Sequence, residues 1–184
     1  MKLPKRNQTP KWGDVRRTLA SKSQRELLNL IRDLYAIQPE VKAFIDARYV
    51  VSTVNLKPYQ KTIQESLNPD VIHGGDIDLE CGQKTIRDYQ KATHDPVGTL
   101  DLMLHYVECG TEFATMYGYG DEFFFESLDE MFSQVVKMIK QNGQEMIDKF
   151  LPRVKKIVHE AEDIGWGYGD GINDTFELAF PDEV

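Results

Sequence analysis

Asp95-Pro96-Val97-Gly98-Thr99-Leu100-Asp101-Leu102-Met103-Leu104-His105-Tyr106-Val107-Glu108-Cys109-Gly110-Thr111-Glu112-Phe113-Ala114-Thr115-Met116-Tyr117 reads as one long helix with apolar side chains on two sides. Asp95 offers a capping carboxylate, and Pro96 suits the first helical position, where a missing N–H costs nothing. At about 100° per residue, Leu100, Met103, Leu104, Val107 and Ala114 share one face, while Leu102, Tyr106 and Phe113 fall on another. A helix that is apolar on two sides has to be surrounded, so the segment predicts the centre of a helical bundle.

The flanking segments repeat the helical period. Residues 1–13, with Pro4, Pro10 and Gly13, read as an extended arm, and Asp14 as the cap of a short helix over 15–20. Ser21 and Gln24 match a capping box. The helix that follows carries Leu27, Leu30, Ile31 and Leu34, and Pro39 opens the next, with Val41, Phe44, Ile45 and Tyr49 as its expected buried side; so short a break predicts an αα-hairpin. Pro58 opens a helix with Ile63 and Leu67, and another runs from Leu79 to about Ala92. Asp121 starts a stripe of Phe124, Leu128, Met131, Val135 and Ile139, closed by Asn142-Gly143. A last long helix runs from Gln144 to about Asp163, with Pro152 expected to kink or divide it. The glycines of Gly165-Trp166-Gly167-Tyr168-Gly169-Asp170-Gly171 predict a non-helical tail that folds back over the bundle and packs Trp166.

The β-branched run 50–55 has no partner strand, so it is expected to be a loop or a frayed end. The expected fold is therefore all-α: a bundle of about six to seven helices arranged as packed helical hairpins, without significant β-sheet. Its expected organisation is a basic arm and short helix over 1–20, one helical domain over 21–164, and a tail over 165–184.

Five stretches carry a resemblance. They are Leu27–Tyr35 with Pro39–Tyr49, Ile86–Ala92 with Asp95-Pro96, Leu102–Glu108 with Gly110–Phe113 and Tyr117-Gly118, Ser127–Phe132, and Pro152–Val158 with Ile164–Asp170. In this order they resemble the prokaryotic domain-of-unknown-function family 6155. The resemblance implies an uncharacterised helical protein of prokaryotes and carries over no catalytic residue.

Charge is segregated along the chain. Residues 1–25 hold eight basic side chains and one acid, for +7; with −8 for the whole chain, the remainder carries −15. Between Lys91 and Lys137 lie nine acids and no lysine or arginine. Such a field attracts cationic partners and repels nucleic acid. No apolar run approaches the ~20 residues of a membrane span, the basic start lacks a following apolar stretch, and two cysteines, Cys81 and Cys109, fit a reducing cytoplasm. No glycine-rich phosphate loop, nucleophile elbow or CxxC pair occurs, so no cofactor is expected and no convergent catalytic set marks an enzyme.

The expectation is a non-enzymatic helical interaction or regulatory protein of the cytoplasm. It would bind a protein partner, or a second copy of itself, through an acidic face with Glu122, Glu126 and Asp129, or through a basic arm with Trp12, Arg16 and Arg17. One alternative is a nucleic-acid-binding accessory protein, using residues 1–25 for phosphate contact and Trp12 for stacking. A further alternative is a metal-dependent enzyme with His105 and Cys109 as ligands, since positions i and i+4 share a helix face.

Overall fold

The computed structural model describes residues 11–49 and 55–183. Among the described residues there are nine α-helices and no strand. The chain divides into two compact units, Met1–Asp46 and Ala47–Val184.

The first unit holds α1 (Trp12–Ala20), α2 (Gln24–Ile37) and most of α3 (Pro39–Tyr49). Trp12 and Gly13 are helical rather than part of an extended arm, and the arm's first ten residues lie outside the described residues. Asp14 sits in the first turn of α1 instead of before it; its carboxylate accepts from the Lys11 N–H. The capping box also differs from expectation: Ser23 pairs with Glu26, whose Oε2 accepts from the Ser23 N–H at 2.9 Å. A charged glutamate is the stronger acceptor, so it displaces the Ser21–Gln24 alternative. Tyr35 donates to Asp46 at 2.8 Å, joining α2 to α3. The expected buried stripe is not buried. Leu30, Ile31 and Leu34 remain 40–45% exposed, and no residue of α2 is buried. Three short helices enclose too little volume to cover that face within their own unit.

The second unit holds α4 (Lys57–Leu67), α5 (Leu79–Thr93), α6 (Pro96–Tyr117), α7 (Glu122–Gln141), α8 (Gln144–Ala161) and α9 (Tyr168–Ala179). Short 3₁₀ turns cover Val71–His73 and Pro181–Glu183. Of the run expected to be a loop, only Asn55 is described. Asp95 caps α6 by accepting from the Val97 N–H at 3.0 Å. Leu100, Leu102, Leu104, Tyr106, Val107 and Phe113 are all essentially inaccessible, and α4, α5, α7 and α8 all pack on α6. The two-sided pattern thus produces the surrounded helix it implies. Gly110 sets the spacing to α7, because a Cβ there would run into the side chain of Leu128.

Pro152, expected to kink or divide α8, lies inside it without dividing it, and the helix is continuous from Gln144 to Ala161. Two expectations for the tail fail. The tail is not free of helix: α9 begins at Tyr168 and packs on α7 and α8. Its glycines serve contact instead of breaking structure, since a Cβ on Gly169 would sit 2.5 Å from the Ala161 carbonyl oxygen. Tyr168, Ile172 and Phe176 are the buried stripe. Trp166, expected to pack, is 81% exposed in the connecting turn, and Tyr168 takes the core position beside it.

The surrounded position of α6 sets an expected cost. Leu104→Ala should lose about 2–5 kcal/mol, the range for a large-to-small change in a filled core. Leu178→Ala, at the exposed edge of α9, should stay within about 0.5 kcal/mol. Denaturant unfolding of the two variants checks the contrast.

Candidate functional site

The sharp turn from α6 to α7 builds the first concave site. Gly118 closes α6 in the left-handed conformation at φ 60°, its N–H bonded to the Ala114 carbonyl. Gly120 lies against the Phe125 ring, so the chain doubles back with Tyr119 at the tip. Asp121 caps α7 by accepting from the Phe124 N–H at 2.8 Å. Opposite this turn runs the connection from α4 to α5. It is held by the Gly75 N–H on the Asp70 carbonyl at 3.0 Å and the Asp78 N–H on the Ser66 carbonyl at 2.9 Å.

Between them opens a cleft of about 660 Å³, with Phe113, Tyr117, Tyr119 and Phe123 as aromatic lining and Asp76 and Asp121 as carboxylates. Phe113 is the buried floor. The Tyr117 ring lies 4.8 Å from it, and the Tyr119 ring stands edge-on at 6.4 Å. Neither carboxylate is ion-paired among the described residues, and His73, the one basic-capable side chain in the connection, is engaged with Asp70 at 2.6 Å.

A second cleft, about 580 Å³, includes His105, Glu108, Cys109, Glu112 and Lys156 in its lining. Arg153 on α8 grips Glu108 with two donors at 2.7 Å each and reaches Asp101 at 3.2 Å. His105 Nε2 lies 3.2 Å from the Gln60 carbonyl oxygen and 3.5 Å from Cys109 Sγ, and its Nδ1 is 3.7 Å from Glu108. The Cys109 sulfur, then the Glu108 carboxylate, push the imidazole up to about 10, against a desolvation that opposes charge. Burial works to raise Glu108, yet the bonds from Arg153 and His105 outweigh it and hold the carboxyl at about 2. Among the described residues, no group of three or more His, Cys, Asp or Glu side chains is arranged to hold a metal ion. His105 and Cys109 are thus brought together, as their spacing implies, within an ion-pair network that joins α6 to α8.

The remaining sequence-selected residues are dispersed. Trp12, Arg16 and Arg17 lie exposed on α1 in the first unit, and Arg17 is 3.5 Å from Asp14. Glu122 and Glu126 are exposed near the start of α7. Asp129 is not with them on open surface. It is partly buried beside Gly171 of α9; its Oδ1 is enclosed without a hydrogen-bond partner, and burial pushes the carboxyl up to about 6. The aromatic cleft itself was missed by sequence reasoning. Its residues come from 71–79 and 113–124, which only the fold joins; the available signal was the absence of lysine and arginine from both stretches.

Glu108 and Asp129 act on stability with opposite sign. Glu108 sits below its ordinary value of 4.5, so its contribution is complete above that pH and is lost as pH falls toward about 2. Asp129 sits above its ordinary 3.8, so it favours the fold below that pH, and this is lost as pH rises through about 6. Arg153→Met should cost about 2–3 kcal/mol at neutral pH and remove the acid limb set by Glu108. Asp129→Asn should raise the neutral-pH thermal midpoint and flatten the limb above it. Thermal unfolding across pH 2–8 measures both; a neutral-pH midpoint lowered by Asp129→Asn would refute the assignment of that strain.

The model of the family of unknown function DUF6155 matches residues 11–178. No curated protein and no solved structure matched the chain. The match spans most of the described residues of both units, and the chain belongs to this family of unknown function, DUF6155.

Proposed function

We propose that the protein is a non-enzymatic helical interaction protein that binds a cationic protein partner at the corner where α6 turns into α7. The observation that carries this reading is a pair of large exposed aromatics set among uncompensated acids. Tyr119 is 59% and Phe123 73% exposed, beside Asp76, Asp121, Glu122 and Glu126. Clustered exposed aromatics mark contact surfaces, and one sign of charge around them selects a partner of the other sign. Asp121 and Glu122 suit the N-terminus of α7, but the exposed Phe123 ring gains nothing from water.

A second observation favours protein over nucleic acid at the first unit. Alongside exposed Trp12, Arg16 and Arg17, that unit leaves the Leu30, Ile31 and Leu34 stripe uncovered by its own helices. A phosphate backbone offers nothing apolar to cover such a stripe, whereas the apolar face of another protein does.

The double reversal Glu122→Lys/Glu126→Lys tests the reading, with Asp129 left intact because it is partly buried. Quantitative co-purification from the native cell extract should lose the proteins retained by the wild-type chain at low salt, with the thermal midpoint unchanged. Retention of the same set by the reversed chain would make the corner a solvated surface and overturn the proposal.

A further inference from the structure

We infer that the cleft between the Val71–Leu79 connection and the α6–α7 turn is a binding site for an organic cation, the ammonium or guanidinium head of a basic side chain on a peptide. The inference rests on the reading of this corner as a partner surface and names what the corner recognises.

The argument starts with the walls. Phe113, Tyr117, Tyr119 and Phe123 line the cleft, with Phe113 as floor and Tyr119 standing at 85° to it. An exposed aromatic ring can hold a cation over its π-electrons, and Tyr119 and Phe123 are the lining rings most open to solvent. Asp76 and Asp121 add two carboxylates with no ion pair of their own among the described residues. Asp121 accepts from the Phe124 N–H through one oxygen. The C-terminal end of α6 adds its partial negative charge at the same corner, while Asp121 and Glu122 offset the positive end of α7.

The chemistry also excludes other ligands. No lysine or arginine occurs in residues 71–79 or 113–124, so among the described residues the cleft lining supplies no cationic side chain to balance a bound anion. An uncharged apolar ligand would leave both carboxylates desolvated and unpaired. The volume of about 660 Å³ exceeds that of one ammonium group, which leaves room for the methylene stem and adjoining backbone of a peptide. The exposed rims of Tyr119 and Phe123 would then cover that stem and exclude water around the buried charge.

The test is an NMR titration of the isotope-labelled full-length chain with Ac-Gly-Lys-Gly-NH2, its arginine counterpart, and the same peptide with Nε-acetyl-lysine. The lysine and arginine peptides should move the amide signals of Asp76, Tyr117, Tyr119 and Asp121, and the acetylated peptide should not. Phe123→Ala should weaken binding about two- to fivefold, the size of an exposed cation–π contact. Asp121→Asn, which keeps the helix cap, should weaken it while the fold stays intact. Glu145→Gln, exposed on α8 and outside the cleft lining, should change affinity less than twofold.

Equal binding of the acetylated peptide, no movement of these signals at millimolar peptide, or a loss from Glu145→Gln as large as that from Phe123→Ala would each overturn the inference. Peptide binding by a chain whose partners survive the Glu122/Glu126 reversal would keep the cleft and remove the wider surface. Loss of those partners without peptide binding would do the opposite.

Discussion

Packing of α6 against four neighbouring helices is the constraint on which the second unit depends. Its apolar residues face α4 and α5 as well as α7 and α8, so none of these helices can shift without opening a cavity against it. Gly110 permits the close approach of α7, and Gly118 ends the helix where the chain must reverse. The place where Tyr119 and Asp121 emerge is therefore determined by the packing of the core. A surface cleft inherits its geometry from the most rigid element of the bundle.

Polar links then attach the outer helices to this centre. Arg153 ties α8 to Asp101 and Glu108 on α6, and the Tyr168 hydroxyl, 2.7 Å from Thr111 Oγ1, ties α9 to the same helix. Both are largely withdrawn from water, where an unmade bond costs more than a made one gains. They specify how the helices are arranged more than they add to stability. Asp129 is the counter-example: an enclosed carboxylate oxygen without a partner, at the edge of the α7–α9 contact.

Much of this architecture could be read from the residues. Asp95-Pro96 and the two apolar faces after it determine where α6 starts and that it is surrounded, and the Phe124–Ile139 stripe determines α7. The tail could not be read from glycine content alone. Each glycine lowers intrinsic helix propensity by about 1 kcal/mol, but burial of Tyr168, Ile172 and Phe176 at helical spacing outweighs that loss. Two capping boxes overlap at residues 21–26, and local pattern did not choose between them. Asp129 stands four residues after Phe125 and three before Phe132, both buried, which is the sign that it faces inward. The aromatic cleft was hidden because its two halves lie more than thirty residues apart and neither has a motif.

The central claim is that the α6–α7 corner is held in place by a helix whose buried residues run through Phe113 and Ala114. Native-state amide hydrogen exchange on the full chain tests it most directly. Protection should be greatest along Leu100–Ala114 and remain high through the Gly118 N–H, which closes the helix on the Ala114 carbonyl. Slow exchange in the middle of α6 with fast exchange from Phe113 to Gly118 would show that the helix frays before the corner, and the cleft would have no fixed geometry to recognise a cation.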